Sequence, residues 1–386
     1  VTGMTAGFTV LTAQKFGAGD MKAMRQTVGG AAVLTTIVTI ILTTLGLLFM
    51  KPLLIFMKTP SDIFKDAYAY IMIICAGIAA QMLYNLMASI LRALGNSKVP
   101  LYFLILSALL NIALDLLLII VFGLGASGAA YATVIAQGIS GLLCLVYVKL
   151  KVPLLHLERD DWRPKGYLLK MQFAVGVPMA LQYSITAIGT MMVQTSQNLL
   201  GSNIVAAFTA ASKIEQVVTQ AYVALGTTMA TYCAQNIGAG KIKRIRKGFK
   251  SATIMASIYA VVTAALIMTV GKYMTYLFVS DNVIEIMSNV DIYLKCIGVF
   301  FIPLAIVNLY RNGIQGMGYG LLPMMAGVAE LIGRGVVAVI AANKRSYFGV
   351  CMASPAAWVL AGGLLLVMYY YIMLKDMKRK FPNRTE

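Results

Sequence analysis

Histidine is nearly missing from this chain, with His156 the only one, so a histidine metal site cannot be assembled. The five cysteines, Cys75, Cys144, Cys233, Cys296 and Cys351, show no CxxC spacing and sit in or beside apolar stretches, where they read as small apolar residues rather than redox or zinc ligands. Charge is scarce as well. Only 12% of the residues are charged, and acids number 14 against 32 Lys and Arg. No paired acids with a histidine and no Ser and Lys dyad stand out, so an intramembrane enzyme is not expected, and neither is a cofactor.

What fills the chain instead is apolar: 60% of 386 residues, with a mean hydropathy of +0.81. A water-soluble fold would have to expose much of that surface. A bilayer resolves the problem, because about 20 apolar residues in a helix cross the hydrocarbon core. Such stretches fall at 28–50, 67–91, 101–122 and 126–148, and again at 168–200, 204–234, 249–271, 290–310, 321–342 and 347–374. A short apolar piece, 1–14, precedes them. The reading is ten full spans and one partial one in an all-α membrane protein.

The net charge of +18 then acquires a topological meaning. If the joints alternate sides, 23 of the 32 basic residues share one face, including Lys15, Lys22, Arg25, the run Lys149 to Lys170, the run Lys241 to Lys250, Arg311 and the tail after Leu374. Seven lie on the other. The positive-inside bias puts the first set and the C-terminus in the cytoplasm, in a multi-pass protein of the cell inner (plasma) membrane. Basic charge here orients the chain, and no nucleic-acid partner is expected.

An internal repeat organises the spans. Thr12-Ala13-Gln14-Lys15-Phe16-Gly17-Ala18-Gly19 matches Cys233-Ala234-Gln235-Asn236-Ile237-Gly238-Ala239-Gly240, and Leu91-Arg92-Ala93-Leu94-Gly95 with Pro100 matches Ile314-Gln315-Gly316-Met317-Gly318 with Pro323. Both pairs keep nearly one register. The expected plan is two six-helix lobes related by a pseudo-two-fold axis along the membrane normal: 1–150 as the N-lobe, 151–166 as a cytoplasmic linker with Pro153 and Pro164, 167–375 as the C-lobe and 376–386 as a cytoplasmic tail. By that count the first lobe lacks its first helix and part of its second.

Ionisable groups within spans are costly, so each needs a reason. Glu330 and Arg334 are four apart and share a helical face, which fits a neutralising pair. Lys213 and Glu215 are two apart and need partners on other helices, unless Lys213 snorkels to the surface. Asp115 has no cation three or four positions away, but Asn111 shares its face. A lone carboxylate beside an amide can take a proton or ligate Na⁺ through oxygen, with Thr133 of the next span adding a hydroxyl. The alternative is a buried acid kept protonated.

The runs Ile90-Leu91-Arg92-Ala93-Leu94-Gly95-Asn96, Asn111-Ile112-Ala113-Leu114-Asp115 and Gly125-Ala126-Ser127-Gly128-Ala129-Ala130-Tyr131-Ala132-Thr133 resemble the fifth- and sixth-helix signature of the multidrug and toxic compound extrusion (MATE) exporters. Ala234 to Gly240 resembles the motif after their eighth helix. The resemblance implies twelve helices in two lobes around a central cavity, and export of small organic, cationic compounds in exchange for Na⁺ or H⁺ by a monomer. It places a cation site at Asn111, Asp115 and Thr133, with an acid of a first helix that has no counterpart here. In another branch acids of the C-lobe carry the ion, but the seventh-helix region has Gln182. The rival within the superfamily is a flippase of lipid-linked oligosaccharide, which calls for several Arg or Lys in its cavity, whereas only Lys213 and Arg334 fall within the expected spans.

The topology is testable by single cysteines at Lys58 and Lys165 probed with a membrane-impermeant maleimide on intact cells. Labelling at Lys58 and protection at Lys165 is the expected outcome; stronger labelling at Lys165 reverses the orientation.

Overall fold

The computed structural model describes residues 1–56, 59, 61–163, 165–277 and 283–381, so Lys58, Pro164 and the end of the tail, 382–386, lie outside the described residues. Every regular element among the described residues is helical. Seven helices are long and apolar enough to cross a membrane, and two bent pairs bring the number to nine. Large apolar side chains such as Ile40, Leu48, Leu104, Leu109, Ile258 and Val262 stay exposed along them, as a lipid-facing surface requires.

The chain separates into two compact units, Val1–Gly176 and Val177–Glu386. The first holds α1 (Thr2–Gly17), α2 (Met21–Phe56), α3 (Ser61–Ala76), α4 (Ile78–Ala93), α5 (Lys98–Asp115) and α6 (Gly125–Lys151). Its core gathers Phe8, Met24, Met82, Ile90 and Leu91. Helix α7 (Gly166–Asn198) begins in this unit: Gln172 donates to the carbonyls of Phe8 and Thr27 at 2.9 and 2.7 Å, and Gly176 leaves room for the Phe8 ring. The joint before α7 is pinned to α2. Arg25 Nε meets Asp161 Oδ2 at 3.2 Å, Glu158 and Asp161 form a reciprocal cap, and Gly29 lies so close to the Asp161 carbonyl that a Cβ would be 2.1 Å from it.

The second unit continues with α8 (Ser202–Gly238), α9 (Ile242–Thr269), α10 (Val283–Gly298), α11 (Phe301–Gly316), α12 (Leu321–Asn343), α13 (Tyr347–Cys351), α14 (Ala353–Tyr371) and α15 (Met377–Lys380). Aromatic edges lock its core, with Phe249 and Tyr369 centroids 4.5 Å apart and Tyr222 edge-on to Phe301 at 6.0 Å.

The four joints matched by sequence share one geometry. Gly19, Gly95, Gly240 and Gly318 all adopt positive φ, at 75, 86, 68 and 94°. Each is the left-handed residue of a helix-ending motif in which its N–H and the next one bond back to the helix: Gly19 to Phe16 and Asp20 to Lys15, Gly95 to Arg92 and Asn96 to Leu91, Gly240 to Ile237 and Lys241 to Asn236, Gly318 to Gln315 and Tyr319 to Ile314. A side chain at those positions would be strained, which explains why glycine ends every copy.

Two expected spans are bent rather than straight. The 67–91 stretch is α3 and α4, meeting at 46° around Gly77, where a Cβ would collide with Val134. The 290–310 stretch is α10 and α11, meeting at 53°. Helix α11 also runs on to Gly316, which corrects the placement of Arg311: it is a helical residue only 8% exposed, not part of a cytoplasmic joint. A charge past the end of an apolar run looked like a span boundary, but a buried carboxylate on α12 offsets it.

Helices α8 and α11 approach backbone to backbone. Gly226 faces the Asn308 carbonyl, and Gly316 faces that of Ala230, where a Cβ would lie 2.1 Å away. Small residues permit this closeness, which drives helix association in lipid. Gly316→Ala must push the pair apart at a cost of about 1–3 kcal/mol, the usual range for overpacking. A thermal-stability assay on purified protein should show a lowered midpoint; an unchanged midpoint would mean that the contact yields without cost.

Candidate functional site

In the first unit, α5 carries Asn111 and Asp115 one turn apart, and α6 brings Thr133 to Asn111. Asn111 Nδ2 donates to Thr133 Oγ1 at 3.4 Å, while the Thr133 hydroxyl donates to Ala129 O at 3.0 Å. The Asn111 carbonyl oxygen is thereby the end of the amide able to ligate a cation. Asp115 Oδ1 is buried without a hydrogen-bond partner. Immediately after Asp115 the helix widens over Leu116–Val121, with Phe122 N bonding back five residues to Leu117 O at 3.1 Å. Such wide turns loosen the backbone ladder and recur at functional positions. All three side chains offer hard oxygen ligands, the donor set that suits Na⁺ or a proton on the carboxylate.

The second unit holds a polar cavity of about 480 Å³ between α7, α8, α10, α11, α12 and α14. Glu330 sits at its base, 4% exposed, with Arg334 Nη2 on Oε1 at 2.8 Å and Arg311 Nη2 on Oε2 at 2.5 Å. The pair expected from spacing is therefore a triad whose third member comes from α11. Glu215 accepts a 2.5 Å hydrogen bond from Tyr293 on α10, and both line the cavity. Lys213 is exposed on α8. Gln182 is buried one turn away from the cavity, its side-chain oxygen accepting from Gln315 Nε2 on α11. It ties α7 to α11 and presents no charge.

Of the residues singled out in the sequence, the structure joins Asn111 to Thr133 and Glu330 to Arg334, with Asp115 one turn from Asn111 on α5. Sequence spacing misses Arg311 and Tyr293, whose partners lie 19 and 78 residues away in the chain. Nothing local signals either contact. The one available clue was that a lone Arg next to an apolar run still needs a counter-charge.

The MatE family model matches this chain over residues 1–117 and 174–340. The probable multidrug resistance protein YpnP of Bacillus subtilis is 34% identical over 83% of this chain and 71% of its own length. A second Bacillus subtilis protein, probable multidrug resistance protein YoeA, is 26% identical over 96% of this chain and 81% of its own. Among solved structures, a MOP superfamily transporter from Pyrococcus furiosus superposes with a TM-score of 0.91 at 21% identity, covering 98% of this chain and 84% of that one, a likeness of fold. With the family pattern, the relatives and the fold in agreement, the chain is a multi-pass membrane protein that belongs to the MatE family.

Proposed function

We propose that the protein is a secondary antiporter that exports small organic compounds, cationic ones among them, across the plasma membrane in exchange for Na⁺ or H⁺, with its C-terminus in the cytoplasm. The names of its relatives support drug efflux. The observation that carries the coupling is the buried, unpartnered carboxylate oxygen of Asp115 beside the Asn111 and Thr133 pair. An acid in a weakly polar setting is expensive when ionised and alone, and it is stabilised by either a proton or a cation. Loading and unloading that carboxylate would change the packing of α5 against α6 and the wide turn that follows. The Glu330 triad is already neutralised on both carboxylate oxygens, so it has less room to exchange an ion.

The flippase reading gains Arg311 as a second buried arginine, but the cavity that both arginines line also holds Glu330 and Glu215, so the two signs are matched there and no basic track forms.

Asp115→Asn keeps the shape of the side chain and removes its ability to change charge. Expressed in cells, the variant should insert at normal levels yet lose at least tenfold in dye efflux driven by an imposed Na⁺ or pH gradient. Undiminished gradient-driven efflux would move the coupling site elsewhere, with Glu215 next in line.

A further inference from the structure

The guanidiniums at the second unit's cavity have more donors than their contacts use. One carboxylate, Glu330, receives two guanidiniums, and all three residues are at least nine-tenths buried. The other acid at the cavity, Glu215, is engaged by Tyr293, and no ion pair within 4.0 Å joins it to either arginine. Three guanidinium N–H groups remain without partners, Arg311 Nε, Arg334 Nε and Arg334 Nη1. Desolvating a charge is costly unless it is paired, and an unsatisfied buried donor adds to that cost. Neutralising Glu330 required only one arginine. The second leaves guanidinium donors over, and although Glu215 at the same cavity lies within electrostatic reach of Arg334, it takes none of them; they border about 480 Å³ of space, which is drug-sized.

The remaining walls define what else a ligand must be. Thr186, Thr190 and Ser212 each donate their hydroxyl hydrogen to their own helix backbone, so their oxygens present acceptor lone pairs. Phe208, Val307 and Trp358 supply apolar wall. We propose that this cavity binds an organic anion, a carboxylate or phosphate monoester, with its negative group at Arg311 and Arg334, its body against the apolar wall and its hydrogen-bond donors toward the threonines. Arginine suits that task, since its planar fork offers paired donors to carboxylate and phosphate oxygens. Calling this ligand a substrate rests on the exporter reading above; its binding does not. A compound carrying both an acid and an amine satisfies both the arginine end and the acceptor rim.

The test is equilibrium binding to the purified full chain in lipid nanodiscs, read by fluorescence anisotropy. The probes are a coumarin carboxylate dye, its phosphate monoester, its uncharged carboxamide and a quaternary ammonium analogue. Either anionic probe, or both, should bind at least tenfold more tightly than the carboxamide, the relative order distinguishing the two acids. Arg334→Gln should weaken the anion at least tenfold and leave Glu330 paired with Arg311, while Arg334→Lys should recover most of the affinity. Thr190→Asp adds an opposing charge at an exposed rim position without touching the triad, and should also weaken the anion tenfold. Equal affinity for acid and carboxamide, or anion binding unchanged in both Arg334→Gln and Thr190→Asp, overturns the proposal. Such a failure would leave the efflux reading standing, because that reading is scored by gradient-driven transport and this one by binding alone.

Discussion

Hydrocarbon offers a buried polar group no water to turn to, and most of this structure follows from that one restriction. Backbone groups must be paired within the chain, so the described elements are helices. Helix ends must be closed, and at four matched joints they are closed in the same way, by a left-handed glycine whose N–H and that of its successor return to the last turn. The joint before α7 obeys the same logic: its Asp161 serves both as an ion partner for Arg25 and as a cap for Glu158 N–H.

The same restriction sorts the charges into two kinds. Glu330 is fully spent, each oxygen holding one guanidinium, and α11 and α12 are fixed relative to one another by it. Gly189 makes room for the arrangement, because a Cβ there would sit 3.1 Å from Arg334 Nη1. Asp115 is the opposite case. Its helix supplies no cation within one turn, and one carboxylate oxygen is buried without a partner. A charge that is locked holds helices together; a charge that is not locked is available to bind and release.

These contrasts explain which features could be read from the sequence. Gly19 and Gly240 were legible because a left-handed cap admits few residues other than glycine, so the structural need leaves a mark in the letters. Asp115 and the Glu330–Arg334 pair were legible because helical spacing alone decides whether a partner sits one turn away. The bends at Gly77 and between Gly298 and Phe301 were not, since each depends on what packs opposite: Val134 in one case, Met268 in the other. Arg311 was misplaced for a related reason. Hydropathy counts a charge as an exit from the membrane, and only the folded chain reveals that a carboxylate on another helix receives it.

The triad is also lopsided in a way that bears on its purpose. Removing Glu330 would strand two buried guanidiniums, the kind of loss that costs about 3–5 kcal/mol for a broken buried pair. Removing either arginine leaves the carboxylate still paired with the other. Neutrality alone does not account for the arrangement, since each arginine keeps donors that no carboxylate receives, and a buried ion pair is seldom more stable than the apolar residues that could replace it. The triad lies at the edge of a cavity whose remaining polar atoms are mostly acceptors and whose other acid is held by a tyrosine. Unpartnered guanidinium donors in that setting are an unmet hydrogen-bonding demand, and an anionic group bound in the cavity would meet it.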